Sequence, residues 1–110
     1  VELIKFYKNA DIGIFASSCE NLPNILLEYL AAKIPTACSR KSPMKDILGD
    51  NGVYFDPTDS DSIFYACKKL IGNVEQRNAF SEKSHNLVEK YSWENNVMQT
   101  LAYFKDILER

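Results

Sequence analysis

The apolar positions of this chain follow two rhythms in alternation. Leu3, Ile4, Phe6 and Tyr7 recur at helical spacing, which predicts a helix over 2–9. Ile12-Gly13-Ile14-Phe15-Ala16 is a short, continuous apolar run between Asp11 and Ser17, the pattern of a strand buried on both faces. Ser17, Ser18 and Cys19 form its exit loop. Pro23 suits a first helical position, where its missing N–H costs nothing, and opens a helix to about Ala32. Residues 35–39 read as a second strand, and Arg40, Lys41 and Ser42 as a loop. Pro43 opens a short helix through Leu48. Gly49-Asp50-Asn51-Gly52 is a turn, and Val53-Tyr54-Phe55 a third strand. Asp59 or Ser60 caps a helix to about Ile71. A helix over 74–90 follows, and Ser92 caps a last one with Val97, Leu101, Phe104 and Leu108 on one stripe, read as a packing face.

The order α-β-α-β-α-β-α-α-α implies a three-layer, Rossmann-like α/β fold: a parallel sheet of about three strands flanked by helices. So narrow a sheet leaves an edge open to self-association. The chain has 110 residues, the length of one domain. It begins with Val1, inside an amphipathic pattern, and is read as a piece of a longer protein.

Composition narrows the function classes. Hydrophobic residues make up 45% and charged residues 25%, and the formal net charge is −2. That balance gives no electrostatic footprint for nucleic acid. No apolar run approaches the ~20 residues of a membrane span, and the first residues lack the apolar core of a signal peptide. Cys19, Cys38 and Cys67 have no metal-ligand spacing, and an odd count reads as reduced thiols. Cys38 is expected in the core and Cys19 as a small neighbour of the site.

The chemistry lies in Glu20-Asn21-Leu22-Pro23-Asn24-Ile25-Leu26-Leu27-Glu28. One acid falls in the loop after the first strand, the other about a turn into the next helix. In an open parallel sheet, ligands sit beyond the carboxyl ends of the strands. The N–H groups of Asn24 and Ile25 are expected there without helical partners, as an anion site helped by the helix dipole. Carboxylates beside a phosphate-binding helix end make sense when the ligand also carries hydroxyls, because each can accept two hydrogen bonds from a vicinal diol. A nucleotide sugar has both. Glu28 is placed to take a ribose diol and Glu20 the hydroxyls of a second sugar.

These residues resemble the C-terminal domain of retaining glycosyltransferases with the GT-B fold, the group 1 family. The likeness lies in Ala10-Asp11, in 18–28, in 31–35, in 43–49, in Tyr54-Phe55-Asp56-Pro57 and in Tyr91-Ser92-Trp93-Glu94. It implies a partial C-terminal, nucleotide-sugar-binding domain over 1–110, belonging to an enzyme that moves a glycosyl group from a nucleotide-diphosphate sugar to a sugar or lipid-linked acceptor. The anomeric configuration is retained. It implies donor contacts from Glu20, Asn21, Leu22, Pro23, Asn24, Ile25 and Glu28, with Glu20 as the catalytic carboxylate near the donor sugar. The family's basic phosphate clamps precede this segment and its acceptor contacts come from an N-terminal domain. Neither is present, so the segment alone is expected to be inactive. N–H groups and basic side chains carry the phosphate charge, so no metal or other cofactor is expected. Polysaccharide assembly and a cytoplasmic location follow from the likeness alone, with the inner face of a membrane open to the intact enzyme. Two departures stand out: Lys33 where glycine is usual at a helix end, and Asp46 where glutamate is usual.

Other features take simpler readings. Asp59-Ser60-Asp61 spells D-x-D but stands at a helix start, where acids cap N–H groups. His85, the only histidine, is expected at the surface of a polar helix. Arg40, Lys41 and Lys45 read as a solvated cluster near the same sheet edge, with support of a phosphate as the second reading. The rival classes are a non-catalytic nucleotide-sugar-binding or interaction module, a sugar-nucleotide epimerase of similar fold and, further off, a flavodoxin-like receiver.

Overall fold

The computed structural model describes residues 2–110. Its elements are α1 (Glu2–Asn9), β1 (Gly13–Phe15), α2 (Asn24–Ala31), β2 (Thr36–Ser39), α3 (Met44–Leu48), β3 (Val53–Phe55), α4 (Ser60–Ile71), α5 (Val74–Val88) and α6 (Trp93–Leu108). A short 3-10 turn, Glu89–Tyr91, separates α5 from α6. The expected order holds. The boundaries shift where local chemistry differs from the apolar pattern: β1 is three residues rather than five, and α5 stops at Val88, two residues early.

The three strands are parallel in the order β1-β2-β3. Gly13, Ile14 and Phe15 stand opposite Thr36, Ala37 and Cys38, and Ala37, Cys38 and Ser39 opposite Val53, Tyr54 and Phe55. The central strand, β2, is buried at every position, as a parallel strand covered on both faces must be. One face of the sheet carries Phe15 and Cys38 under Leu26 and Leu30 of α2, Met44, Ile47 and Leu48 of α3, and Leu87 and Val88 of α5. The other carries Ala37, Val53 and Phe55 under Ala66 and Leu70 of α4. Leu26, Leu30 and Leu70 are wholly enclosed, and each contributes about 1.5–3 kcal/mol by leaving water. Ile14, on β1, is half-exposed because no helix covers that end of the second face.

Capping residues set the helix ends. Asp59 accepts from the N–H groups of Asp61 and Ser62, so the D-x-D sequence is a cap. Asn73 caps α5 through the Gln76 N–H, and Ser92 caps α6 through the Asn95 N–H. The Arg77 guanidinium donates to the carbonyls of Leu70 and Ile71 at the end of α4, where positive charge meets the helix dipole. The α2 helix ends with Lys33 at φ 58°, Lys33 N–H donating to Leu30 O and Ile34 N–H to Tyr29 O. This is a Schellman turn, and it puts a lysine in the left-handed position.

Three expectations are corrected. Pro23 is not the first helical residue: it caps α2, and Asn24 is the first. His85 is only part-exposed, and its Nδ1 is enclosed without a hydrogen-bond partner. The reason is that α5 packs against α2, α3 and α4, so a polar helix still presents an enclosed side. The α6 stripe does not pack: Val97, Leu101, Phe104 and Leu108 are all exposed, as is every residue from Tyr91 onward. Cys38 is buried, and burial pushes its thiol up to about 12, so it is a core residue and not a nucleophile.

Candidate functional site

The loop leaving β1 runs over 16–23 to the N-terminal end of α2. Ser17 Oγ donates to Cys19 O at 3.2 Å and steadies the first bend. The chain then turns on Pro23, whose φ of −79° and ψ of 82° bring the Asn24 N–H to Leu22 O at 2.9 Å. That is an inverse γ-turn. It corrects the expectation that the Asn24 amide is free. Leu27 N–H reaches Pro23 O at 3.1 Å. The Ile25 and Leu26 N–H groups therefore form the unpaired pair at the α2 tip among the described residues. The sequence pattern gave the helix start to within one residue but not the γ-turn that takes up one amide.

A groove of about 300 Å³ opens at this tip, lined by Phe15, Glu20, Leu22, Pro23, Asn24 and Ile25. It lies beyond the carboxyl end of β1, where open parallel sheets hold ligands. Five of the seven expected site residues line it. Asn21 is exposed at its side and does not line it. The side chains of Glu20, Asn21 and Asn24 make no hydrogen bond to other described residues. Glu28 is one turn further along α2, on the outward face that also carries Asn24 and Ile25, opposite the buried Leu26 and Leu30. It borders a second groove, of about 630 Å³, between α1 and α2, lined by Leu3, Ile4, Tyr7, Lys8, Ala31, Ala32 and Lys33. The two carboxylates thus flank one helix tip on its exposed side but border separate grooves.

Glu28 is not free of partners. Tyr7 Oη donates to Glu28 Oε2 at 2.7 Å. That bond raises the Tyr7 phenol to about 12, because its ionisation would set two anions together. The Tyr7 ring also meets Tyr29 edge-on, with centroids 5.6 Å apart. Sequence reading saw Tyr7 only as an apolar position of α1. The partner lies 21 residues away, and no local pattern links the two.

A third, smaller hollow joins the tip to the start of α6, bounded by Leu22, Asn24, Leu27, Tyr91, Ser92, Trp93 and Asn96. It brings Tyr91-Ser92-Trp93 beside the loop that leads into α2, with Trp93 86% exposed. The spacing of 70 residues between these stretches hides their proximity in the sequence.

The loops after β2 and β3 reach the same sheet edge with most of their polar groups already paired, while the exposed Lys41 ammonium has no partner among the described residues. Arg40 Nη2 lies 3.0 Å from Asp56 Oδ2. Asp56 Oδ1 accepts from the Thr58 N–H at 2.9 Å and from Thr58 Oγ1 at 2.7 Å. These two bonds, with Arg40 behind them, hold the Asp56 carboxyl below the usual range. Asp46, the shortened acid, takes the Ser42 hydroxyl at 2.9 Å. Arg40 is therefore paired, not a freely solvated cation, while Lys45 stands over the Tyr54 ring at 5.9 Å. Among the described residues, no three His, Cys, Asp or Glu side chains are grouped to hold a metal ion. No helix among them is long and apolar enough to cross a membrane.

The three-stranded parallel sheet flanked by helices is a Rossmann-like α/β arrangement, and comparison with known proteins matches it to the GT-B fold. Residues 1–87 match the family of glycosyl transferases group 1, and the chain belongs to that family. It is 28% identical over 110 residues to an uncharacterized glycosyltransferase of Methanocaldococcus jannaschii, covering 97% of this chain and 28% of that one. It is 25% identical to the O-antigen chain mannosyltransferase B of Escherichia coli, covering 94% of this chain and 27% of that one. To the D-inositol 3-phosphate glycosyltransferase of Corynebacterium urealyticum it is 26% identical, covering 96% and 26%. The fold matches sucrose-phosphate synthase from Thermosynechococcus elongatus with a TM-score of 0.82 at 15% identity, over 94% of this chain and 27% of that one. The chain spans about a quarter of the length of the relatives it matches.

Proposed function

We propose that this chain is the donor-binding part of a retaining glycosyltransferase, taking a nucleotide-diphosphate sugar and presenting its glycosyl group to an acceptor held elsewhere in the intact protein. One observation carries the reading. Among the described residues, unpaired polar groups are densest at one place on the sheet edge: the Ile25 and Leu26 N–H groups, with the Glu20, Asn21 and Asn24 side chains. In a member of the group 1 family, that is the equipment for a ligand with phosphates and hydroxyls.

The roles follow from charge. The diphosphate meets the two N–H groups and the positive end of the α2 dipole. Those same groups oppose the negative charge that builds on the departing diphosphate, so they are worth more in the transition state than in the ground state. Glu20, part-buried at the groove wall, accepts hydroxyls of the donor sugar and orients it. Glu28 accepts the ribose diol, which fixes the nucleotide a turn behind the phosphates. This division of labour asks for no metal, and acceptor binding and completion of transfer belong to parts of the intact protein outside this chain.

The test is a titration of the isotopically labelled chain with UDP, GDP or ADP to millimolar concentration. One of the three is expected to move the amide signals of residues 20–28 while those of α6 stay in place. Signals at 20–28 that do not respond to any of the three overturn donor binding by this chain.

A further inference from the structure

We infer that Tyr7 is a positioning residue for Glu28, holding its carboxylate in the orientation that receives a ribose diol. The inference rests on the reading of Glu28 given above.

The geometry is specific. Tyr7 is the one residue of α1 that is not fully exposed, and its hydroxyl meets Glu28 Oε2 at 2.7 Å. Its ring is seated edge-on against Tyr29. Tyr29 in turn lies against Gly13 on β1: a Cβ on that glycine would come within 2.7 Å of the Tyr29 ring. The hydroxyl is thus referred, through two aromatic rings, to the sheet itself. An exposed glutamate on a helix otherwise samples several rotamers and loses that freedom when a ligand binds. Tyr7 removes part of that loss beforehand.

The bond does not block the site. A carboxylate offers about four lone-pair directions. Tyr7 uses one, on Oε2, and Oε1 stays open to both hydroxyls of a vicinal diol. The phenol stays protonated well past neutral pH, so it remains a donor under all ordinary conditions. A purely structural tyrosine would need its ring and not its hydroxyl, and that difference makes the role testable.

The measurement is calorimetric binding of UDP, GDP and ADP and of their 2′-deoxy forms to the chain, to Tyr7→Phe and to Glu28→Gln. The unaltered chain is expected to prefer the ribose form, and Glu28→Gln to erase the preference. Tyr7→Phe is expected to weaken the ribose form about three- to ten-fold, the size of one hydrogen bond, and the 2′-deoxy form less than about two-fold. The Tyr7 phenol is expected to titrate near 12 in the unaltered chain and nearer its ordinary value in Glu28→Gln. Equal weakening of both forms by Tyr7→Phe, or none, overturns the role of Tyr7 and leaves that of Glu28 intact. A chain with no preference for ribose, or a preference that survives Glu28→Gln, overturns the reading of Glu28 and the role of Tyr7 with it.

Discussion

Two sets of loops leave the same edge of one sheet, and they treat their polar groups in opposite ways. After β2 and β3, Arg40, Asp56, Thr58, Ser42 and Asp46 are paired with one another, and Asp59 is committed to the start of α4. After β1, the side chains of Glu20, Asn21 and Asn24 have no partner among the described residues, and two amides of α2 stand open beside them. A satisfied loop gains its order from its own hydrogen bonds. An unsatisfied one leaves groups solvated that a ligand can take over, and each charge-assisted bond to a ligand can be worth about 1.5–3 kcal/mol. The contrast rests the proposed site on what the fold leaves unpaired rather than on which residues are acidic or basic.

The largest expected effect breaks the contrast if it fails. Glu20→Gln keeps the shape of the side chain and removes its charge. In the intact protein it is expected to lower glycosyl transfer by about 100-fold or more, the equivalent of about 3 kcal/mol, with the melting temperature unchanged. Arg40→Ala, made in the paired loops, is expected to do the reverse: a lower melting temperature and transfer within about two-fold. Rates under saturating donor, with a thermal melt of each variant, decide it. Transfer that depends on Arg40 as strongly as on Glu20 would show that the paired loops also serve the reaction.

A smaller effect sharpens the comparison through pH. The Asp56 carboxyl is held low by Thr58 and Arg40. A carboxyl depressed in the folded state adds stability that is present above its unfolded value, about 3.9, and lost as pH falls through the folded value. The melting temperature is therefore expected to drop on acidification below about pH 4. Asp56→Asn should melt lower at neutral pH and show a shallower acid drop, because part of the titrating contribution is gone. Nucleotide binding should be indifferent to this change. An acid drop as steep as in the unaltered chain would mean other carboxylates carry it.

The same contrast explains what the sequence made legible. Element order is written locally: the apolar run at 12–16, Pro23 and Pro43 before helices, the Gly49–Gly52 turn, and Asp59 and Ser92 as caps. The placement of five candidate residues around the α2 tip follows from strand-loop-helix order alone. What stayed hidden is non-local. The Tyr7–Glu28 bond and the nearness of Trp93 to Leu22 need the sheet to bring distant segments together. The pairing of the Asn24 amide is not legible because a γ-turn depends on ψ at Pro23, which proline does not fix. The enclosed Nδ1 of His85 is hidden from the sequence because the helices that cover one side of the polar α5 are distant along the chain. The α6 stripe shows the converse, since an apolar period announces a face without saying what covers it.

The smallest effect concerns the far end of α2. Lys33 has φ 58°, where an L side chain costs roughly 1 kcal/mol relative to glycine. Two terms oppose the gain from Lys33→Gly. Glycine is more flexible when unfolded, and the exposed Lys33–Glu82 pair at 3.6 Å is lost, though such pairs give only about 0–1 kcal/mol. The net is a gain of about 0.5 kcal/mol and a rise in melting temperature of about 2–4 °C. Lys33→Ala supplies the control: it loses the same ion pair and keeps the left-handed cost, so it should melt below both the unaltered chain and the glycine variant. If alanine and glycine melt together, the turn is not held in the left-handed conformation. The tip is where a change should alter ligand handling without altering melting, and Lys33 is where a change should alter melting.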